Sequence, residues 1–168
     1  TNNEVTDYND TQMESIEEEY VTLQAEVVVP RGYKLFITQH GTIEDTQFIK
    51  TLKLKRGVRV MLKFNININD SLINGALGTV IGFVYGRKSV IAVVVSFDDA
   101  KVGQEHKIRY KDACSKFADQ NGVPIFRSTL KYQGKSANSM NSHGAKCKIT
   151  QFPLKPAFAS TTHSLQGT

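Results

Sequence analysis

The chain lacks the long apolar segments that a membrane-spanning helix needs. Its 168 residues are 40% hydrophobic and 22% charged, with no tryptophan, four prolines and two cysteines. No stretch approaches the roughly 20 consecutive apolar residues of a spanning helix. The first 19 residues are acidic and polar, unlike a secretory leader with its basic start and apolar centre. At roughly 150 residues per domain, we expect one globular, intracellular domain or slightly more, with no membrane contact.

Cysteine is too scarce for a disulfide framework. Cys114 and Cys147 are far apart in the sequence, and neither belongs to a C-x-x-C pair. A zinc site could be assembled from both with His106 and His143, but the spacing is not that of a zinc finger or ribbon. We therefore predict two free thiols and no metal site.

Acidic residues are scarce after the first 50 positions. The net charge of +5 divides into −7 for residues 1–50 and +12 for residues 51–168. A region this basic attracts polyanions, because each lysine or arginine that neutralises a phosphate releases a counterion. An ordinary basic surface is the alternative, since net charge alone identifies no site.

Residues 1–50 indicate mixed helix and strand. Apolar residues recur at helical spacing from Thr11 to Tyr20 while glutamates take the other face, which predicts a short amphipathic helix. A β-branched run over residues 22–29, followed by proline and glycine, predicts a strand. Residues 33–50 are ambiguous, and we interpret them as a strand and then a short helix over residues 43–52.

From Leu52 onward the pattern is typical of a small antiparallel barrel or sandwich, because short apolar runs alternate with glycine and asparagine turns. Asn74-Gly75 is the strongest turn signal, and we predict a type I′ turn there, with Gly78 part of the same structural turn. The strand candidates are residues 58–64, 78–83, 89–97 and 106–110.

The segment 82–89 superficially resembles a phosphate-binding loop. Its spacing is one residue short, and no glycine directly precedes Lys88. A true loop of this kind also runs from a strand into a helix, whereas this one joins two strand candidates. We predict a hairpin with Arg87 and Lys88 as exposed turn charges.

Residues 127–148 contain no acidic residue and are rich in serine, asparagine, glycine and lysine. This composition predicts a long basic loop, and such loops are usually functional or disordered. Lys131 and Lys135 are candidate phosphate contacts, and Tyr132, with Phe126 as a second choice, is a candidate for stacking on a base. A solvated surface insertion is the alternative.

The last residues differ from the rest. Residues 157–162 are small or β-branched, which suits a buried strand, and His163, Gln166 and Gly167 follow at once. Taken alone, a single histidine beside threonines is more often structural than catalytic.

This segment resembles a motif of the superfamily I DNA helicases of the PIF and RecD group, A-x-A-x-[ST]-x-H-x-x-Q-G, with every specified position filled between Ala157 and Gly167. A second block, L-x-L-K-x-G-x-x-V-M-L, stands at residues 52–62. It is followed by Asn65, an N-G-x-x-G-x-V stretch from Asn74 to Val80, and a V-x-F strand at residues 95–97. The blocks come in the order that the family has.

The resemblance implies an α/β parent protein with two RecA-like domains. This chain would be α+β, dominated by a small Src-homology-type β-barrel inserted in an incomplete second RecA-like domain. Residues 1–50 would be the first part of that RecA-like domain, residues 51–148 the barrel with its basic loop at 127–148, and residues 149–168 the return to the RecA-like domain.

The resemblance also implies an ATP-dependent DNA helicase that moves 5′ to 3′ on single-stranded DNA and unwinds forked DNA, with roles in repair, recombination or replication. Thr161 and His163 would contact DNA, and Gln166 and Gly167 would lie on the nucleotide side. The intact enzyme would use ATP and magnesium. No G-x-x-x-x-G-K-[ST] motif occurs, so we expect a carboxyl-terminal fragment that needs the first RecA-like domain and is inactive alone.

Two other interpretations stay open. The chain could be a non-catalytic module that binds single-stranded nucleic acid without ATP, or the helicase piece of a transposon or virus. If the source is eukaryotic, the resemblance implies the nucleus or the mitochondrion.

Overall fold

The computed structural model describes residues 18–44, 46–133, 135–136 and 146–157. These residues are mostly sheet with few helices. One short helix, α1, spans Gln104–Arg109, and 3-10 turns span Ile68–Asp70 and Ser115–Gln120. The strands are β1 (Val21–Gln24), β2 (Glu26–Val28), β3 (Tyr33–Lys34), β4 (Thr51–Leu54), β5 (Arg59–Leu62), β6 (Leu77–Tyr85), β7 (Val90–Phe97), β8 (Val123–Ile125), β9 (Ser128–Gln133), β10 (Lys135–Ser136), β11 (Lys146–Gln151) and β12 (Leu154–Pro156).

The largest sheet has five antiparallel strands in the order β12-β5-β6-β7-β8. Its centre is the β6–β7 hairpin, in which β7 is mostly buried and includes the three consecutive valines 93–95. Within the described residues this sheet is open, with β12 and β8 at its edges. The predicted strands at residues 58–64, 78–83 and 89–97 are confirmed, whereas closure into a barrel is not.

The main core lies under this sheet. Leu52, Leu54, Val60, Leu62 and Leu154 are among its members, and β7 and β8 add Val93, Val95 and Ile125 to the same cluster. Burial of such side chains contributes about 1.5–3 kcal/mol each to folding. β1 pairs with β4 in an antiparallel ribbon that adds Leu23 to the same core. The apolar run over residues 22–29 is therefore extended, as predicted, in β1 and β2.

A second, smaller cluster lies under a three-stranded sheet of order β2-β11-β9. Ile43, Phe48 and Ile149 form its buried centre. Phe48 and Ile43 come from a segment for which a helix was predicted over residues 43–52. That prediction is wrong: the backbone N–H of Ile43 donates to Phe48 O at 2.8 Å, and Thr51 begins β4. The helix predicted from Thr11 to Tyr20 falls mainly outside the described residues.

Gly78 lies inside β6 and not in a turn, so that part of the turn prediction is wrong. A β-carbon at this position would lie 2.6 Å from Val95 Cγ1 and 2.7 Å from the backbone oxygen of Ser96. Glycine is therefore required by the close approach of β7, since extra atoms in a packed core force backbone shifts.

The turn at Asn74-Gly75 is present, but it is not type I′. Of its two central residues only Gly75 has a positive φ, at 104°. Ala76 N–H donates to Ile73 O at 3.1 Å, and this combination is that of a type II turn. The Asn65 side chain accepts from Asn74 N–H at 2.8 Å, which holds the turn against the chain that precedes it.

Residues 106–110 were predicted to be a strand, and this is wrong because α1 occupies the segment. Its N-terminus is capped by a residue distant in sequence. The buried Asp70 carboxylate accepts from Glu105 N–H at 3.0 Å and from His106 N–H at 2.8 Å. A carboxylate at this end also complements the helix dipole.

Gln151 joins three segments of the chain. Its side chain is fully buried, and Nε2 donates to Leu23 O at 3.0 Å and to Ile49 O at 2.8 Å. Oε1 accepts from Phe152 N–H at 2.9 Å. The amide therefore holds β1 and the residues before β4 against the end of β11.

Arg59 on β5 forms a two-point ion pair with Asp98 after β7, at 2.6 Å and 2.5 Å. The hydrogen bonds from Arg59 hold the pKa of Asp98 below its ordinary value. The side chains are 44% and 52% exposed. Solvent screening therefore limits the contribution of the pair to about 1 kcal/mol at most.

We expect this contribution to depend on pH. Because the pKa of Asp98 is lowered by folding, the stabilisation is complete above the unfolded value of about 3.9 and is lost as pH falls through the folded value. Asp98→Asn should cost about 0.5 kcal/mol at pH 7, and the gap to the wild type should narrow below about pH 4. Urea unfolding at several pH values measures the difference in the free energy of unfolding between the wild type and Asp98→Asn. A difference that does not change with pH would contradict a contribution from the ion pair.

Among the described residues, no helix is both long and apolar enough to cross a membrane.

Candidate nucleic-acid interface

Two lysines lie directly opposite each other on the exposed face of the three-stranded sheet. Lys131 on β9 pairs in register with Lys148 on β11, and both are exposed. Directly opposed residues have their Cβ atoms about 4.5–5.5 Å apart. Like charges at this separation destabilise a sheet, and an anion bound over the pair would remove that repulsion.

A second lysine pair occurs in the neighbouring two-stranded sheet. Position 135 on β10 lies opposite Lys34 on β3 in the backbone register. Lys131 and Lys135, the two phosphate contacts predicted from the sequence, are therefore each matched with another lysine. Neither Lys148 nor Lys34 was selected from the sequence. The alternation in K-C-K-I-T could have indicated that Lys146, Lys148 and Thr150 share one face.

Hydroxyl groups continue this face. The Thr129 and Thr150 side chains are hydrogen bonded at 2.9 Å across β9 and β11. Both alternate with inward-facing residues in the same way as the lysines. Threonine hydroxyls donate to phosphate oxygens in many nucleic-acid interfaces. One acidic residue, Glu26, lies opposite Thr150 on β2, so the basic character is strongest toward Lys131 and Lys148.

Tyr132 does not lie on this face. It is partly buried and packs against the cluster of Ile43, Phe48 and Ile149. The role predicted for it, an open platform for base stacking, does not match this position. Phe126 lies in an aromatic group in which its ring centroid is 4.8 Å from that of Tyr110 and 6.0 Å from that of His106.

His106 is held within the fold. Its Nε2 lies 2.7 Å from Pro124 O, and burial lowers the pKa of the imidazole. Cys114 and Cys147 are free and buried, and burial raises the pKa of the Cys114 thiol. In the part of the chain that the structure describes, no three histidine, cysteine or acidic side chains form a group that could hold a metal. His143 lies outside that part.

Thr161, His163, Gln166 and Gly167 also lie outside the described residues, which end at Ala157. The segment that leads to them is described. β12 pairs with β5 at one edge of the five-stranded sheet, and Ala157 N–H donates to Arg59 O at 2.8 Å. The motif therefore begins as a continuation of a strand anchored to the main sheet.

Residues 46–83 match the family model described as DNA helicase Pif1, 2B domain. This segment contains the Asn65, Asn74 and Gly75 contacts and the close approach at Gly78. The solved structure of Pif1 helicase from Candida albicans matches with a TM-score of 0.59 at 20% identity, over 100% of this chain and 36% of that one. The fold of this chain is that of the matching part of the Pif1 structure.

Further Pif1 structures agree with this fold. Pif1 from Bacteroides, solved in complex with ADP-AlF3 and ssDNA, matches with a TM-score of 0.57 at 19% identity, over 99% of this chain and 30% of that one. A Pif1 structure described for DNA unwinding at forked dsDNA gives 0.54 at 20% identity, over 99% and 29%. The resemblance drawn from the sequence is thus confirmed.

The chain spans 29 to 36% of the length of these Pif1 structures. No curated protein matches it at a significant level.

Proposed function

We propose that this chain is part of an ATP-dependent DNA helicase of the Pif1 type, which moves along single-stranded DNA and unwinds forked duplexes. The observation that supports the DNA contact is the Lys131–Lys148 pair. The two cations are directly opposed on an exposed sheet face, and a bound polyanion would remove their mutual repulsion. The Pif1 fold and the 2B match support the choice of a helicase.

In this proposal the domain boundaries predicted from the sequence are retained, with one addition. Residues 51–148 are the inserted small domain, and residues 1–50 and 149–168 belong to the second RecA-like domain. The strand β11 crosses the boundary at 148/149 and pairs with both β9 and β2. Across the same proposed boundaries, β1 pairs with β4 and β12 pairs with β5. The inserted domain would therefore be joined to its host by sheet hydrogen bonds as well as by the chain.

The motif after β12 would couple DNA to nucleotide. Thr161 and His163 would contact the backbone of the tracked strand, and Gln166 and Gly167 would lie beside the γ-phosphate. ATP and magnesium would be held mainly by the first RecA-like domain. A shift of this short segment on ATP binding would change its contacts with DNA. ATP would in this way shift the equilibrium between two conformations that bind DNA with different affinity.

The DNA contact is tested by a salt titration of the longer protein that contains this chain. Each phosphate that a lysine neutralises on a single strand contributes about 0.7 to the slope of log affinity against log salt. We expect Lys131→Gln with Lys148→Gln to reduce that slope by about 1.4. Fluorescence anisotropy with a labelled oligothymidine measures the affinity.

Lys101→Gln with Lys111→Gln is the matched control, because both lysines are exposed and lie outside this sheet. The two double variants carry the same net charge. Equal slopes for them would contradict a specific contact at the Lys131–Lys148 pair. Binding that persists without any ATP hydrolysis in the longer protein would favour the non-catalytic module instead.

A further inference from the structure

A cleft of about 430 Å³ lies at the tip of the β6–β7 hairpin, between the tip, the start of β1 and Arg127. Three of the side chains that line it are cationic: Arg87, Lys88 and Arg127. None of its lining residues in the described part of the chain is acidic. The cleft therefore concentrates positive charge without an internal counterion.

Arg127 lines this cleft and is fixed in place. Its Nη1 donates to Val90 O at 2.7 Å, and its guanidinium lies 4.5 Å from the centre of the Phe152 ring. Its Nε is buried and has no hydrogen-bond partner among the described residues. A guanidinium carries five N–H donors. An anion in the cleft could therefore accept hydrogen bonds from a group whose position is already fixed.

The hairpin tip places the other two cations beside an aromatic ring. Gly86 N–H donates to Ser89 O at 2.8 Å, which closes the turn that presents Arg87 and Lys88 to solvent. Tyr85 precedes the turn, is 65% exposed, and lines the same cleft. Its ring centroid is 6.4 Å from that of Phe83. An exposed ring beside cations is the combination that binds single strands, because every base has a face that can stack.

We propose that this cleft binds single-stranded DNA, with at least two phosphates at Arg87, Lys88 and Arg127 and an unpaired base stacked on Tyr85. The inference rests on the proposed function, since DNA is the polyanion that a helicase binds. It assigns a second contact, on strands other than those that carry Lys131 and Lys148. The exposed charges of the hairpin turn would thus bind DNA.

The stacking contact is tested by Tyr85→Ala and Tyr85→Phe in the longer protein, with oligothymidine binding followed by fluorescence anisotropy. Tyr85→Ala should weaken binding about tenfold, and Tyr85→Phe should bind as the wild type does because the ring is retained. An equal affinity of the two variants would overturn the proposal.

The phosphate contacts are tested by Arg87→Gln with Lys88→Gln, which should reduce the salt slope by about 1.4. Lys101→Gln with Lys111→Gln is again the control, and an equal slope for the two pairs would overturn the proposal. A millimolar addition of inorganic phosphate should leave oligothymidine binding unchanged, and full displacement by it would mean a site for free phosphate.

These outcomes separate the inference from the proposed function. If the substitutions at Tyr85, Arg87 and Lys88 leave DNA binding unchanged while those at Lys131 and Lys148 reduce the salt slope, only the proposal for the cleft is contradicted. Absence of any oligothymidine binding by the wild type contradicts both.

Discussion

Gln151→Leu should lower the free energy of unfolding by about 3 kcal/mol or more, since each buried polar group left without a partner costs about 1–3 kcal/mol. The substitution retains most of the volume but removes every hydrogen bond of the amide. Leu23 O, Ile49 O and Phe152 N–H would then be left without their partner at this position. Urea unfolding, followed by circular dichroism, measures the change.

Gln24→Leu is the matched control. Gln24 lies in β1, accepts from the Thr51 hydroxyl at 2.9 Å and is exposed, so water can replace that bond. Its loss should cost about 0.5 kcal/mol or less. A cost below about 1 kcal/mol for Gln151→Leu would mean that the segments are held by apolar packing, and that the amide is not their main connection.

His163→Ala in the longer protein should reduce DNA-stimulated ATP hydrolysis by about 10-fold to 100-fold. A hydrogen bond to a charged group contributes about 1.5–3 kcal/mol, and about 1.4 kcal/mol corresponds to a factor of ten in rate. Hydrolysis without DNA should change little, because the histidine is proposed to contact the strand and not the nucleotide. A coupled assay at saturating ATP with and without oligothymidine measures both rates.

Lys101→Ala is the control for this variant, since Lys101 is an exposed cation in the turn after β7. It should retain the stimulation by DNA. A His163→Ala protein that is stimulated as strongly as the wild type would contradict the role assigned to the motif. The cleft and the lysine pair would then stand as DNA contacts without the proposed coupling.

The strands of the central hairpin could be predicted because their signals are local. Val90 to Phe97 is a run of β-branched and apolar residues, and a glycine-containing turn precedes it. The rejected phosphate-binding loop at residues 82–89 is indeed a strand-to-strand hairpin, with Arg87 and Lys88 exposed. Sequence spacing and context were sufficient there.

The errors occur where distant residues decide local structure. α1 forms over a segment predicted to be a strand because Asp70, far away in sequence, caps its backbone N–H groups. The type I′ prediction is wrong because only Gly75 of the two central residues has a positive φ, and Asn74 N–H is bonded instead to the distant Asn65 side chain. Gly78 looked like a turn residue, yet the approach of Val95 is what requires a glycine.

Only some residues of the candidate interface could be predicted from the sequence. Composition indicated a long basic loop over residues 127–148, but residues 128–133 lie in β9 and residues 146–148 in β11, so the loop prediction is wrong there. Lys131 and Lys135 were named as phosphate contacts, and that role stays a prediction. Their partners, Lys148 and Lys34, depend on strand register, which composition does not contain. Arg127 and Tyr85 could not be connected from the sequence, because the cleft is lined by segments that are far apart in the chain: β1, the hairpin tip and Arg127.

We propose that this chain is part of a DNA-dependent ATPase of the Pif1 type, and one measurement tests this proposal directly. ATP hydrolysis by the longer protein should rise with the concentration of single-stranded DNA and then saturate. The DNA concentration that gives half-maximal stimulation should increase steeply with salt. Hydrolysis that is absent, or that is unchanged by DNA at every salt concentration, would contradict the proposal.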